Sequence, residues 1–358
     1  MSYRIGSFNL HNLGKTALGA KNPRDLKAIA KIIREEKYDV VALQEILSEG
    51  AAFVSPDYAK RCILYELGGE DQWGFEYLDS TTNSSLISAQ PFESEQRYDP
   101  RGECYAFIWN KKTLRLCTTK VLTPYGEVTR TFYPRMCSVS KSGMIRKPFY
   151  GRFTAAGTNV GSNFELRLIC VHTYYGKTDS LDDRKRRQHE LDVLLKEIYP
   201  QICDRRYGDS LNAYTVLLGD YNAEVWTYES QKWQEELKRI RGGKKPYRMI
   251  TDGEGNVLST YSGVRIIKTI QTELTTLKTK IDELGTEQFD TAGYSCNYDH
   301  FSYEPDKFKG VKLQTHRVTA AVDKHCKLGS SDPYQSNYEK YYKTVSDHIP
   351  ITLEINLK

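Results

Sequence analysis

Apolar and polar positions alternate from Tyr3 to Leu10, where Ile5, Ser7 and Asn9 oppose Gly6, Phe8 and Leu10, and this is the period of a β-strand. Asn22-Pro23 reads as a helix start, with Asn as the cap and Pro at the first helical position. Leu26, Ile29, Ala30 and Ile33 then recur on one helical face. Tyr38-Asp39 ends that helix, and Val40-Val41-Ala42-Leu43 makes a short apolar strand that delivers Gln44-Glu45. Further strands are expected at Cys104–Trp109, Phe149–Thr154, Leu166–His172, Thr215–Leu218, Tyr298–Tyr303 and Ile349–Ile355. A charged amphipathic helix from Ser180 to about Tyr199 carries Leu191, Leu194, Leu195 and Ile198.

Between Asp220 and Asp299 the pattern changes. One helix-like stretch carries Trp233, Leu237 and Ile240; another carries Ile267, Ile270, Leu274, Leu277, Ile281 and Leu284, spaced like a heptad seam. Both predict a helical-hairpin insertion at about 226–290 within a single domain spanning 1–358. The 262–284 helix would pack on its own hairpin or mediate contact with a protein partner or a second copy. The intervening KRIRGGKKPYR tips the hairpin with Arg239, Arg241, Lys244 and Lys245, which either contact nucleic-acid backbone or form a solvated charged turn. No Gly-, Ser- or Pro-rich linker marks a second domain.

Composition narrows the class without naming a substrate. With 39% hydrophobic and 27% charged residues, the 358-residue chain is neither a disordered segment nor a membrane-spanning bundle. A formal net charge of +5 is compatible with a polyanionic partner. The 8 cysteines form no Cys-x-x-Cys pair, so scattered reduced thiols are expected rather than a disulfide framework. MSYRIGSFNLHNLG has no signal-peptide core, which makes a cytoplasmic protein the default expectation; a leaderless secreted effector would look the same.

Polar groups recur at the ends of the apolar strands, where sheet-based enzymes place their sites. Asn9 lies in SFNLHNLG, Glu45 in VVALQEI, Glu103 in RGECYAFIWN, Arg146 in MIRKPFYGRF and His172 in LICVHTYYG. Asp220 and Asn222 lie in LLGDYNAE, Asp299 in CNYDHFSY, and Asp347 and His348 in VSDHIPITLEI. Taken alone, each has a structural reading. Asp220 and Asn222 suit an Asx-type turn, Asn9 a turn, Glu45 a helix cap, and Arg146 a cover for apolar surface. His11, His189, His316 and His325 match no motif position and read as surface or packing residues.

The ordered set F-N, L-Q-E, central His, G-D-x-N and terminal S-D-H resembles the endonuclease/exonuclease/phosphatase superfamily over nearly the whole chain. GECYAFIW, MIRKPFYGRF and TAGYSCNYDHF resemble its deoxyribonuclease I branch, from which Lys147 departs at the position after Arg146. The resemblance implies an α/β fold, a four-layered sandwich of two packed mixed or antiparallel sheets flanked by helices. It also implies a divalent-metal-dependent DNA endonuclease leaving 3′-hydroxyl and 5′-phosphate ends.

In-line attack on a phosphodiester builds negative charge on its oxygens, and a hard divalent cation held by oxygen donors offsets that charge. Carried over residue by residue, the family pattern makes Glu45 the main ligand of Mg²⁺ or Mn²⁺, with Asn9 and Asp347 nearby. His172, oriented by Glu103, and His348, oriented by Asp299, would bind phosphate oxygens or move a proton. Asp220 would orient or deprotonate the attacking water, Asn222 would donate to the scissile phosphate, and Arg146 would clamp a substrate phosphate. Two other functions compete: a phospholipid phosphodiesterase or phosphomonoesterase of the same superfamily, and an inactive binding scaffold. A sphingomyelinase-like enzyme would be expected to carry an exposed aromatic hairpin.

Overall fold

The computed structural model describes residues 1–13, 24–47, 63–77, 103–137, 144–157, 164–175, 181–207, 211–223, 256–259, 265–270, 274–277, 280–281, 287–288, 296–317 and 326–357. The first half of the chain contributes β1 (Ser2–Leu13), α1 (Leu26–Glu35), β2 (Val40–Leu47), α2 (Ile63–Leu67), β3 (Trp73–Tyr77), β4 (Glu103–Asn110) and β5 (Leu114–Leu116). A hairpin of β6 (Thr118–Thr123) and β7 (Gly126–Thr131) follows, then β8 (Arg135–Met136), β9 (Phe149–Ala155) and β10 (Phe164–His172). α3 (Leu181–Val193) runs through a wider π-turn at Leu194–Ile198 into α4 (Tyr199–Asp204). The remainder supplies β11 (Asn212–Asp220), β12 (Asn256–Ser259), β13 (Arg265–Ile270), β14 (Lys280–Ile281), β15 (Glu287–Gln288), β16 (Asp299–Tyr303), β17 (Lys312–Arg317), the Asn337–Thr344 helix and β18 (Ile351–Asn356).

Two large sheets form among the described residues. The first has the order β17-β18-β1-β2-β4-β3; the second has the order β12-β13-β16-β11-β10-β9-β5, with β8 on β9. Strand alternation explains the layers. Ile5, Val40, Ala42, Phe107, Leu168, Cys170, Val216 and Leu218 fill the space between the sheets. On the outer face of the first sheet, Phe8, Leu10, Val41 and Leu43 pack on Ile29, Ile32 and Ile33 of α1. On the outer face of the second, Ile169, Val171 and Leu217 pack on Leu191, Leu194, Leu195 and Ile198. The result is the four-layered α/β sandwich, with helices outside two mixed sheets.

Two expectations change. α1 begins at Leu26 rather than at Asn22-Pro23, because the Asp25 side chain accepts the Ala28 N–H at 3.0 Å and so caps the helix itself. The described part of the expected 262–284 helix is not helical; residues 262–264, 271–273, 278–279 and 282–284 lie outside the described residues. Residues 265–270 are strand β13, pairing antiparallel with β12 and β16. Ile266, Ile267, Thr269 and Ile270 are β-branched and favour the pleated surface, and Ile267 and Thr269, two apart, are both buried. Further along, Leu274–Leu277 is extended and braces the chain end: Leu277 N–H donates to Asp347 O and Ile349 N–H to Thr275 O. The first stretch of the expected hairpin and its basic tip, Arg239, Arg241, Lys244 and Lys245, lie outside the described residues.

A charged triad sits beneath α4. Glu165 Oε1 lies 2.5 Å from Arg152 Nε and 2.8 Å from Arg167 Nε, with all three side chains buried. Burial pushes the Glu165 carboxyl up, but the hydrogen bonds and charges of Arg167 and Arg152 outweigh it and hold the group below its ordinary 4.5. Glu165→Ala would leave two buried guanidinium groups without their shared carboxylate, and a loss of ~3–5 kcal/mol is expected in urea unfolding. The triad's contribution is complete above the unfolded-state pKa and is lost as pH falls through the lower folded-state value. Wild-type stability should therefore drop with acid in that window more steeply than the stability of the variant.

Candidate active site

Strand register assembles the first half of the site. β10 and β11 pair in parallel with His172 opposite Asp220, and β11 pairs antiparallel with β16 so that Asp220 lies opposite Asp299. His172 follows Leu168 and Cys170 at even spacing, Asp220 follows Val216 and Leu218, and Asp299 precedes Phe301, so all three point between the sheets. Gly219 makes the closure feasible. Its φ is +138°, and a Cβ there would lie 2.0 Å from the Val171 carbonyl oxygen.

The first sheet supplies the other half. Asn9 continues the inward-facing row of Ile5 and Ser7 on β1. Gln44 also faces between the sheets, donating to Ser7 Oγ at 3.3 Å and Cys170 Sγ at 3.1 Å. Plain alternation would therefore turn Glu45 away. Instead Glu45 has φ 55°, and the β2–β4 register shifts between Leu43 and Ile46, a bulge that returns the carboxylate to the site. Glu45 is thus a strand residue, not a helix cap.

Asn9 joins the halves. Its Nδ2 donates to Glu45 Oε1 and Asp220 Oδ2, both at 3.0 Å, while its Oδ1 accepts the His11 N–H at 2.9 Å. Asp220 Oδ1 in turn accepts the Asn222 N–H at 2.7 Å. Both Asx turns therefore exist, and the turn residues lie beside Glu45 and the histidines. Asn222, at φ 45°, donates Nδ2 to Thr173 O at 2.8 Å and so ties its own loop to that of His172.

Each histidine is held at Nδ1 by a carboxylate and turns Nε2 to a common point. His172 Nδ1 lies 3.2 Å from Glu103 Oε2, and His348 Nδ1 lies 2.8 Å from Asp299 Oδ2. Their Nε2 atoms stand 3.7 and 3.6 Å from Asp220 Oδ2. Burial raises the Glu103 pKa, but His172 and Arg146 outweigh it and bring it down to about 2. Burial works against a charged His348, yet the Asp299 and Asp220 carboxylates hold its pKa well above the ordinary value. Asp220 is pushed up, chiefly by burial and also by Asp299, against the pull of both imidazoles.

Glu45, expected as the main metal ligand, sits in a cluster that could hold an ion. Among the described residues, donor atoms of Glu45, His172 and Asp220 lie within 4.8 Å of one another, two hard oxygens and an imidazole that fit a divalent cation. Asn9 stands among them, its Nδ2 donating to two of these carboxylates and its Oδ1 accepting the His11 N–H. Asp347 Oδ1 lies 3.0 Å from His11 Nδ1, and its pKa is held at about 2: burial, which raises it, is outweighed by His11, His348 and Arg24. Arg146, expected to clamp a substrate phosphate, is fixed beside the carboxylate that holds His172. It is buried, with Nε 2.6 Å from Glu103 Oε2 and Nη1 donating to Thr173 O at 3.3 Å.

Three residues escaped the sequence reading. His11 pairs with Asp347, and Arg24 donates to His11 O at 2.7 Å; neither belongs to a motif, though His11 lies only two residues beyond Asn9. Glu190 is fully buried and accepts the Ile145 N–H at 2.8 Å and the Tyr174 N–H at 2.7 Å, joining the Arg146 and His172 loops to α3. Its signal was present, since a carboxylate four residues before Leu194 lies on the apolar face of the helix.

The family model for Endonuclease/Exonuclease/phosphatase proteins matches residues 6–348. The chain belongs to this family. Its members are phosphoester hydrolases that use a divalent metal. No curated protein matches the chain by sequence. Among solved structures, D. rerio TDP2 in complex with a single-strand DNA product is similar at TM-score 0.50 and 12% identity, covering 99% of each chain. A mannosyl-6-phosphatase of Bacteroides thetaiotaomicron VPI-5482 is similar at TM-score 0.49 and 13% identity, covering 99% of this chain and 100% of that one. At such identities the likeness describes the fold.

If Glu45 is the main ligand of the ion, Mn²⁺ affinity measured by electron paramagnetic resonance should fall at least ~10-fold in Glu45→Gln. Asp347→Asn should change it far less. A larger loss in Asp347→Asn than in Glu45→Gln would overturn this role for Glu45.

Proposed function

We propose that this family member is a Mg²⁺- or Mn²⁺-dependent DNA endonuclease that hydrolyses phosphodiester bonds to 3′-hydroxyl and 5′-phosphate ends. The observation that carries the reading is the pair of carboxylate-backed histidines whose Nε2 atoms converge on Asp220 from opposite sides. When bound at Glu45, a divalent cation offsets the charge that grows on the phosphate oxygens. Cationic His348 donates from Nε2 to a phosphate oxygen, with Asp299 preserving its charge and orientation. Asp220 accepts a hydrogen bond from the attacking water and orients it. His172, its Nδ1 held by Glu103, directs Nε2 toward the departing oxygen. Arg146 and Asn222 position this loop through the Thr173 carbonyl rather than gripping substrate. The net charge of +5 suits a polyanionic substrate, and the buried cysteines Cys104, Cys117 and Cys170, in no disulfide, suit a reducing, cytoplasmic setting.

A second reading, phospholipid phosphodiester hydrolysis, is favoured by one feature. The β6–β7 hairpin presents Leu122 at 85% and Tyr125 at 100% exposure, an apolar tip that a lipid surface would cover. Among the described residues no helix is long and apolar enough to cross a membrane.

The deciding experiment is cleavage of supercoiled plasmid with Mg²⁺, Mn²⁺ or EDTA, beside hydrolysis of phospholipid vesicles. We expect metal-dependent nicking, abolished by EDTA and reduced roughly 10²–10⁴-fold in His172→Ala and His348→Ala. Vesicle hydrolysis without plasmid nicking, lost in Leu122→Ser/Tyr125→Ser, would replace the first reading with the second.

A further inference from the structure

Away from the family's reaction centre, the outer face of the second sheet holds a concentration of positive charge around a cavity. Arg167 lies five residues before His172 on β10, and Asn212–Thr215 open β11, so the cavity sits roughly 15 Å from the reaction centre along the strands. Its volume is ≈ 530 Å³, within the range of small-molecule sites. Arg205 and Arg206, just past α4, form one wall; Lys307, from the Pro305–Phe308 turn, forms another; Arg167 and Tyr214 line it from the sheet. Four cationic side chains thus face two carboxylates, Asp204 and Asp306, among the described lining residues.

The surroundings deepen the imbalance. The guanidinium carbons of Arg152, Arg167 and Arg205 lie 3.4, 5.2 and 6.0 Å from the centre of the Tyr207 ring, with Glu165 shared by the first two. An adjoining cavity of ≈ 280 Å³ shares Asp204 and Arg205 and is also lined by Arg135. Burial, reinforced by the charge of Arg205 and opposed by Tyr207, holds the Arg135 pKa below its ordinary value. Like charges gathered in a concave wall focus a positive potential that a bound anion relieves. Guanidinium forks match phosphate oxygens in pairs, and Tyr207 adds ring surface for an organic moiety.

We propose that this cavity is a second ligand site, one that takes a phosphorylated small molecule of nucleotide size through Arg205, Arg206 and Lys307. The test is isothermal titration of the full-length protein with ADP and with pyrophosphate in EDTA. Saturable one-to-one binding is expected, weakened at least roughly tenfold in Arg205→Glu/Arg206→Glu and in Lys307→Glu, as the loss of a charge-assisted hydrogen bond implies, and unchanged in His172→Ala. Arg206 and Lys307 are exposed and on separate elements, so thermal unfolding identifies a variant that fails for reasons of folding, and the other still decides. Absence of binding, equal binding by both charge-reversal variants, or loss of binding in His172→Ala would overturn the proposal.

Discussion

The site depends on one register. His172, Asp220 and Asp299 are cross-strand neighbours at the ends of three adjacent strands, so the spacing of imidazole and carboxylates is that of a β-ladder rather than of flexible loops. A slip of one residue in β11 would turn Asp220 to the outer face and bring Gly219 into line with His172. The intersheet core opposes that slip, because the same alternation buries Val216 and Leu218. Folding and chemistry therefore select the same register, and Gly219 permits the two backbones to approach at that height.

The second sheet cannot complete the site alone. Glu45 arrives through a bulge with a left-handed backbone, a conformation that costs a non-glycine residue free energy and persists only where the surroundings hold it. Asn9 is what holds it. By donating from one amide to Glu45 and Asp220 together, it separates two carboxylates that would otherwise repel at short range. A cation between the same carboxylates would meet the same electrostatic need.

Much of this was legible in the sequence because strand and turn signals are local. Alternation located β1, apolar runs located β2, β10 and β11, and the order of polar groups at their ends marked the histidines, with their carboxylate partners implied by the family resemblance. The errors have physical causes. Ile267, Ile270 and Leu274 satisfy a helical spacing, yet a β-branched run beside an open sheet edge forms strand β13, a competition that periodicity alone does not resolve. Residue type named Asp347 and Arg146, but which atom of each faces the site depends on partners distant in sequence, His11 and Glu103. His11 and Glu190 belong to no motif, and their roles appear only when loops meet.

Each half of the site hangs from a different sheet, and the Asn9 side chain bridges them. The Asn9–Asp220 bond of 3.0 Å thus reports the sliding of one sheet over the other. The midplane residues Ala42, Phe107 and Leu168 act as bearings for that motion, although they touch no reacting group. Wear in the bearings, a void left by a trimmed side chain, would loosen the alignment of Glu45 with His172 while both sheets stayed folded. Precision would fail in this enzyme before architecture does.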